Sequence, residues 1–343
     1  MSKEFSEVVA LVINFNTSSL TIQCVDSLRE TGIRNVLVLD NASHREDVAS
    51  LRAALGNHEP SVQLFESLQN LGFAAGSNFL IDQALKHPTI RFALLLNSDA
   101  VAIPSGMREM LRIALEENLD LVGGKMLEAA TSADRASPSV DSLGIAMYRP
   151  LLASNRKTMD EEFLGPTGGC AIYSRRLLEE LKTLHGYAFD PAYFCYAEDT
   201  DLCIRARLLG ATARYVDSAV AVHAGQASSG GGFSDFVLYH GIRNSIWTVA
   251  KSVPLNAIIR NLPWIILLHL GIVVRHSLRG KVKIIFRLYA HALRGMPEML
   301  EKRKVVQTTR RISPDHFNQF ITPKFYETRY LKNVLRELCF WRD

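Results

Sequence analysis

Three carboxylates lie within four residues near the middle of the chain, at Glu198, Asp199 and Asp201. Adjacent carboxylates repel one another unless a cation or a proton separates them. His223 follows Asp199 by 24 positions, and Asp99 lies just after a separate apolar run. Carboxylate and imidazole groups bind metal ions and transfer protons, so this set predicts a metal site, an acid–base site, or both.

Each of these features also has a simpler explanation. The dipole of a helix favours acidic side chains in its first turn, which would account for the cluster if a helix begins there. His223 alone could be a structural histidine that ends a strand. Which explanation holds depends on the strands and helices that position these residues.

The first hundred residues alternate between short apolar runs and segments with helical spacing. The apolar runs predict strands buried on both faces at residues 8–14, 36–40, 62–65 and 92–96. The intervening segments predict helices at residues 18–30, 48–55 and 76–86. This order predicts an α/β fold with a mostly parallel central sheet.

Polar residues stand where three of the predicted strands stop. They are Asn14 and Asn16, Asp40 and Asn41, and Asn97 and Asp99. One such residue alone can simply start a turn. Because the carboxyl ends of strands form the ligand crevice in open α/β sheets, the three pairs together favour a binding site.

The second half of the chain has weaker patterns. Residues 128–162 predict loop and irregular structure, and residues 226–232 a mobile Ser/Gly-rich loop. Gly168 and Gly169 permit a close backbone approach to a ligand, or a tight bend into a strand at 170–173. A helix is predicted at 199–209, with short strands at 213–216 and 219–222.

Charge divides the 343-residue chain unevenly. Residues 1–250 carry 21 basic and 29 acidic residues, a net of −8, whereas residues 251–343 carry 18 and 6, a net of +12. The basic tail suggests an anionic partner, either a membrane surface or nucleic acid. Five cysteines without a CxxC pair, and a start without a secretory pattern, favour a reducing cytosol.

The C-terminal region contains an apolar run at residues 262–274, interrupted by Pro263 and His269. A span needs roughly 20 apolar residues, so this run is predicted to be too short to cross a membrane. Residues 275–294 interleave basic and aliphatic side chains, which predicts an amphipathic helix lying in a membrane interface. The alternative is a basic helix packed on the rest of the protein.

These residues, in this order, resemble family 2 glycosyltransferases of the GT-A fold, particularly the bacterial rhamnosyltransferase-like branch. The resemblance covers about residues 7–230. Its motifs are Ile13-Asn-Phe-Asn16, Val38-Leu-Asp40-Asn41-Ala-Ser43, Asn70-Leu-Gly72-Phe73-Ala-Ala-Gly76-Ser-Asn78, Leu95-Leu-Asn97-Ser-Asp99, Gly168-Gly169, Glu198-Asp199-Thr-Asp201-Leu-Cys-Ile-Arg205 and His223. One departure is Asn97-Ser98-Asp99, which has one carboxylate where the family commonly has Asp-x-Asp.

The resemblance implies a GT-A domain at residues 1–240, followed by a basic, partly amphipathic helical region at 241–343. It implies an inverting reaction in which Asp199 is the general base, while Glu198 and Asp201 hold the acceptor hydroxyl or tune Asp199. It also implies Mn²⁺ or Mg²⁺ bound by Asp99 and His223. Tyr193, Phe194 and Tyr196, just before the cluster, could form a wall for a sugar ring.

The resemblance further assigns binding residues and partners. The donor-binding residues are Asn14, Asn16, Asp40, Asn41, Asn70, Gly72, Phe73, Gly76, Asn78 and Asn97, and the acceptor-binding residues are Gly168, Gly169 and Tyr196. The favoured donor is dTDP-L-rhamnose, with UDP- or GDP-sugars as alternatives. The acceptor would be a glycan or lipid-linked glycan of cell-surface polysaccharide or lipopolysaccharide assembly, at the inner face of the cytoplasmic membrane.

Two other functions are open to such a chain. A non-catalytic nucleotide-sugar or glycan-binding protein on the same fold would explain the single carboxylate at Asp99. A nucleic-acid-binding protein would use the basic tail, but the sequence has no recognised reading module, so no nucleic-acid partner is predicted. Donor turnover separates the enzyme from the binding protein.

Overall fold

The computed structural model describes residues 5–56, 61–129, 139–223 and 234–328. Its strands, numbered in chain order, are β1 (Val8–Asn14), β2 (Asn35–Asp40), β3 (Val62–Glu66), β4 (Phe92–Leu96), β5 (Ala100–Ala102), β6 (Leu121–Glu128), β7 (Val140–Ser142), β8 (Ile145–Tyr148), β9 (Ala153–Asn155), β10 (Cys170–Ser174), β11 (Ala213–His223) and β12 (Ile321–Thr322). Its helices are α1 (Ser18–Glu30), α2 (Arg45–Leu55), α3 (Gly72–Leu85), α4 (Pro104–Glu117), α5 (Arg175–His185), α6 (Glu198–Leu208), α7 (Asp235–Ser252), α8 (Leu255–Leu278), α9 (Val282–Thr308) and α10 (Pro314–Phe317).

The central sheet has the strand order β3-β2-β1-β4-β10-β6-β11-β5, and β7 pairs with β6. Strands β3, β2, β1 and β4 are parallel neighbours, whereas β10 runs antiparallel to both β4 and β6. Because β1, β2 and β4 are parallel, their carboxyl ends meet at one edge, as their polar ends predicted. The predicted α/β class is confirmed.

The sheet is buried on both faces. Alternate residues of β1 enter two different cores, with Val8, Ala10 and Val12 on one face and Val9 and Leu11 on the other. Helices α1, α2 and α4 cover the first face, and α3, α5 and α6 cover the second. Strands buried on both faces explain why their sequences are continuous apolar runs.

The C-terminal helices pack on this sheet domain. Helices α7 and α9 contact each other, and α7 also contacts α6. A third core joins α6 to α8 and α10 through Ile204, Leu208, Ala257 and Phe317. Strand β12 pairs in parallel with β8, which closes a small sheet of β12, β8 and β9. The domain boundary near residue 240 stays a prediction, and α7 runs across it.

Several local predictions were wrong. Helix α3 begins at Gly72, four residues earlier than expected. The segment 128–162, expected to be irregular, contains β7, β8 and β9, which are too short for a periodic signal. The two strands expected at 213–222 are one strand, β11, with two register shifts against β6. The loop at 226–232 lies outside the described residues.

The apolar run at 262–274 belongs to a longer helix than its own length indicated. This run is the middle of α8, a helix of 24 residues that continues through Pro263. Proline removes one backbone donor and does not always end a helix. By length and composition alone, α8 is long and apolar enough to cross a bilayer.

Candidate active site

A cleft of about 1040 Å³ opens at the carboxyl edge of the sheet. Predicted site residues from motifs far apart in the sequence line this cleft together. They are Asn41, Asn70, Gly72, Phe73, Asn97, Asp99, Gly168, Gly169, Tyr196, Glu198, Asp199 and His223. Side chains from α7 line it too, among them Phe236, Ser245 and Thr248. The C-terminal region therefore contributes to one wall of the cleft.

At one corner of the cleft, His223 lies between two carboxylates. Its Nδ1 donates to Asp141 Oδ2 at 2.8 Å, and its Nε2 is 3.0 Å from Asp99 Oδ1. Pairing of β11 with β5 sets His223 opposite Ala100, directly after Asp99. Burial alone would lower the pKa of His223, but hydrogen bonds and charges from Asp141 and Asp99 raise it to about 10.

The donor atoms at this corner fit a divalent cation. Asp99 Oδ1 and His223 Nε2 lie 3.0 Å apart, and a carboxylate with an imidazole suits Mn²⁺, which would displace the proton shared between them. Asp141 orients the ring by accepting from Nδ1, as carboxylates commonly do for metal-binding histidines. Within the described residues, no group of three His, Cys, Asp or Glu forms a fuller cage. The remaining ligands would have to come from water or a diphosphate.

Asp141 provides a prediction about metal binding. Asp141→Asn weakens the acceptor that holds Nδ1 of His223, so Mn²⁺ affinity should fall about 10–100-fold. Calorimetric titration with Mn²⁺ measures this directly. Asp217→Asn is the matched control, because Asp217 lies on the same strand as His223, is 64% exposed and pairs with Lys125 outside the cleft. Equal affinities of the two variants would contradict the orienting role.

Asp199 also lines the cleft, from the first turn of α6. Its Oδ2 accepts from the Gly168 backbone N–H at 2.9 Å, and its Oδ1 accepts from that of Thr200 at 2.6 Å. Burial raises the pKa of Asp199 above its usual value, against the opposing effect of these hydrogen bonds. A carboxylate with a raised pKa at the wall of a cleft is suited to accept a proton.

The neighbouring residue, Glu198, is buried, and its hydrogen bonding differs from that of Asp199. Its Oε2 has no hydrogen-bond partner among the described residues. Burial, followed by the charge of Asp199, raises the pKa of Glu198 well above its usual range. We therefore expect Glu198 to be protonated while Asp199 is ionised.

The loop before α6 is strained and is held by α7. Phe194, Tyr196 and Ala197 all have positive φ angles near 65°, which is unfavourable for residues with a Cβ atom. Asn244 donates to the backbone carbonyl oxygens of three loop residues, at 2.7–3.0 Å. Gly72 must be glycine, because a Cβ there would lie 2.5 Å from Phe194.

Asp201 does not line the cleft, so the structure contradicts its predicted contact with the acceptor hydroxyl, while its tuning of Asp199 stays a prediction. It is fully buried, where Oδ2 accepts from Arg205 at 2.8 Å and from Lys251 at 2.9 Å. Lys251 also donates to Asp190 at 2.6 Å, and Lys302 donates to the other oxygen of Asp190 at 2.7 Å. These five residues form a buried charge cluster that joins α6 to α7 and α9.

Five predicted donor-binding residues also lie away from the cleft lining. Asn14 is buried and donates to Asp40 at 2.9 Å and to Asp47 at 2.7 Å, so Asn14 and Asp40 brace the loop after β2. Asn16 accepts from the backbone N–H of His44 in the same loop.

The other two of these residues fix the position of α3. Asn78 exchanges two hydrogen bonds with the backbone of Phe189. A Cβ at Gly76 would lie 3.2 Å from Ile13, so this glycine allows α3 to approach the sheet.

Sequence reasoning missed Asp141, Asn244 and Lys251. Asp141 lies in a segment without periodicity and gave no signal. Asn244, Thr248 and Lys251 follow the i, i+4, i+7 spacing of one helix face, and all three are buried. A polar stripe within an otherwise apolar helix could have indicated a buried polar contact.

The comparison with protein families decides the identity. Residues 10–182 match the family described as glycosyl transferase family 2. The chain belongs to glycosyl transferase family 2. The GT-A-like α/β fold with C-terminal helices, expected from the sequence, is confirmed.

Solved structures share the fold of this family 2 chain. Residues 1–349 of S. aureus TarS in complex with UDP align at 17% identity and a TM-score of 0.52, covering 92% of this chain and 83% of that one. GalNAc-T7 with UDP, GalNAc and Mn²⁺ aligns at 12% identity and a TM-score of 0.59, covering 91% of this chain and 56% of that one. The chain covers 40% of a longer TarS structure. No curated protein sequence matches the chain.

Proposed function

We propose that this family 2 glycosyltransferase is an inverting, metal-dependent enzyme that transfers a sugar to a glycan or lipid-linked glycan. The observation that carries the proposal is that Asp199 and the Asp99–His223 pair line the same cleft. The cleft thus offers both a proton acceptor and metal ligands. Glu198, the carboxyl group beside Asp199, is expected to be neutral and so cannot act as a nucleophile. Asp199 as a single base favours direct displacement.

Asp199 would accept the proton of the acceptor hydroxyl while that oxygen attacks the anomeric carbon. The bond from this carbon to the diphosphate oxygen breaks on the opposite face, and its electron pair leaves with the diphosphate. Mn²⁺ or Mg²⁺ held by Asp99 and His223 would neutralise the charge that develops on the diphosphate. Gly168 and Thr200 keep Asp199 in place through their backbone N–H groups.

The proposed donor rests on separate support for its nucleotide and for its sugar. UDP in the TarS complex and UDP with Mn²⁺ in the GalNAc-T7 structure support a nucleoside diphosphate and a metal ion in this fold. The resemblance of the sequence motifs to the rhamnosyltransferase-like branch supports dTDP-L-rhamnose, in cell-surface polysaccharide or lipopolysaccharide assembly. The alternative function, a non-catalytic nucleotide-sugar-binding protein, would use the same cleft without turnover.

Donor turnover tests the proposal. We expect the full chain to release nucleoside diphosphate from one member of a panel of dTDP-, UDP- and GDP-sugars in the presence of Mn²⁺. EDTA should suppress this release and added Mn²⁺ or Mg²⁺ should restore it. Asp99→Ala and His223→Ala should each weaken Mn²⁺-dependent donor binding, measured by thermal shift.

Three outcomes would contradict parts of this proposal. Full activity in EDTA would mean that side chains alone stabilise the leaving diphosphate. Donor binding without any release, across the whole panel, would favour the binding protein. Release from UDP-sugars but not from dTDP-L-rhamnose would remove the rhamnosyl assignment and leave the mechanism intact.

A further inference from the structure

Helix α8 exposes an unusually large apolar surface. Only 11% of its apolar 18-residue stretch is buried. The exposed side chains are Leu255, Ile259, Leu262, Trp264, Ile266, Leu267, Leu270, Val273, Val274 and Leu278. Exposed apolar patches of this extent mark interaction surfaces in soluble domains.

The apolar surface continues onto α9. After a turn at residues 279–281, α9 runs back alongside α8, and His269 of α8 hydrogen-bonds to the Tyr289 hydroxyl at 2.8 Å. On α9, Val282, Phe286 and Leu293 are 56%, 76% and 70% exposed. We call these exposed side chains of α8 and α9 together the hairpin surface.

The charge of this segment is entirely positive. Residues 255–295 contain seven Lys or Arg and no Asp or Glu. Six of the seven lie from residue 275 onwards, in the last turn of α8, in the following turn and on α9: Arg275, Arg279, Lys281, Lys283, Arg287 and Arg294. Apolar side chains interleaved with basic ones match the interface of an anionic bilayer, where headgroups and acyl chains meet.

From these observations we infer that the hairpin surface docks on an anionic lipid bilayer, with α8 lying in the plane of the interface. The contacts of α8 argue against a span. Ala257 is buried in the third core, Ile265 packs against that core, and the ring of Trp264 contacts Phe325. His269 then contacts α9, so one face of α8 touches protein along most of its length. A spanning α8 would lose these contacts or draw the basic α9 into hydrocarbon.

The turn of the hairpin lies near the cleft. Lys281 Nζ is 2.9 Å from Asp235 Oδ1, and the next two residues, Phe236 and Val237, line the cleft. A bilayer on the hairpin surface would therefore lie close to the mouth of the cleft. If the proposed function is correct, this arrangement brings a lipid-linked acceptor to Asp199 while the nucleotide-sugar arrives from solution.

Vesicle flotation of the full chain tests the docking. We expect the protein to float with vesicles of phosphatidylcholine and phosphatidylglycerol at low salt, and to bind phosphatidylcholine alone far more weakly. Salt should release it, because exposed charges are screened. Reversing Lys283 and Arg294 to Glu should lower the partition coefficient about fivefold or more per residue.

Further variants separate the apolar contribution to vesicle binding from the electrostatic one. Phe286→Asp with Leu293→Asp should abolish flotation, whereas Leu68→Asp should not change it, although Leu68 is a fully exposed apolar residue elsewhere. All these side chains are exposed, so thermal unfolding should match the unmodified chain and thereby control for folding. Donor turnover without vesicles reports on the proposed function separately from flotation.

Three results would overturn the inference. The protein could stay at the bottom of the gradient with anionic vesicles at low salt. It could form a dimer that Phe286→Asp dissociates, which would make the hairpin surface a protein interface. It could resist extraction from vesicles at high salt and alkaline pH, which would mean that α8 spans the bilayer.

Discussion

Asp199→Asn is expected to lower kcat about 10²–10⁴-fold while donor and Mn²⁺ affinities stay near those of the unmodified chain. The amide preserves the shape of the side chain but cannot accept the proton of the acceptor hydroxyl. It also lies outside the Asp99–His223 corner, so metal binding should not change. Single-turnover kinetics with a saturating donor measures the effect on the chemical step.

Glu198→Gln is the matched comparison on the neighbouring residue. Because burial and Asp199 raise the pKa of Glu198, its carboxyl is expected to be neutral, and glutamine imitates that form. Its turnover should fall far less than that of the Asp199 variant. If Glu198→Gln were inactive and Asp199→Asn nearly normal, the base would be Glu198.

The raised pKa of Asp199 also fixes the direction of the pH dependence. The base must be ionised, so kcat/KM should fall as pH drops through the pKa of Asp199 in the folded enzyme. Burial raises that pKa, so the fall should occur above pH ~3.9, the ordinary aspartate value. A profile that stays flat down to pH 4 would contradict this assignment.

Lys251→Ala is expected to lower the free energy of unfolding by about 3–5 kcal/mol. Lys251 is fully buried and bridges Asp190, in the segment before α6, to Asp201 in α6. Removing it leaves two buried carboxylates whose remaining ion pairs, among the described residues, are with Lys302 and Arg205. Burial would raise the pKa of Asp190, yet Lys251 and Lys302 hold it far below its usual value.

Urea unfolding, followed by circular dichroism, measures the loss. Lys304→Ala is the control on α9, because Lys304 is 70% exposed and its ion pair with Glu301 should contribute at most about 1 kcal/mol. Since the folded pKa of Asp190 is depressed, its stabilising contribution is present above pH ~4 and is lost as pH falls towards the folded value. A loss below ~1 kcal/mol for Lys251→Ala would mean that the cluster relaxes without it.

Local sequence signals were sufficient to predict the sheet domain and many of the residues that line the cleft. Strands β1, β2 and β4 are continuous apolar runs that end in polar residues, so their burial and the position of the ligand edge follow from short segments. Helix α6 begins with acidic residues, as its dipole favours. Motif order then linked Asp99, Asp199 and His223, which lie far apart in the sequence.

Which carboxylate of the cluster faces the cleft was decided only by tertiary structure. Asp199 and Asp201 differ by two positions, which is about 200° around a helix of 3.6 residues per turn. Asp199 therefore lines the cleft while Asp201 lies among Lys251, Arg205 and Ser252. The sequence pattern contained both residues but not the direction in which α6 packs.

The hydrogen-bond partners that distant segments contribute to the site could not be predicted from the sequence either. Asp141 meets His223 across 82 positions, and Asn244 holds the loop before α6 across 48 or more. The sequence alone determined the fold class, the parallel strand ends and the chemical types at the centre of the site, because these depend on local periodicity and local motifs. Tertiary structure alone decided which polar residues face the cleft and which C-terminal residues complete it, because those contacts depend on how distant helices and strands pack.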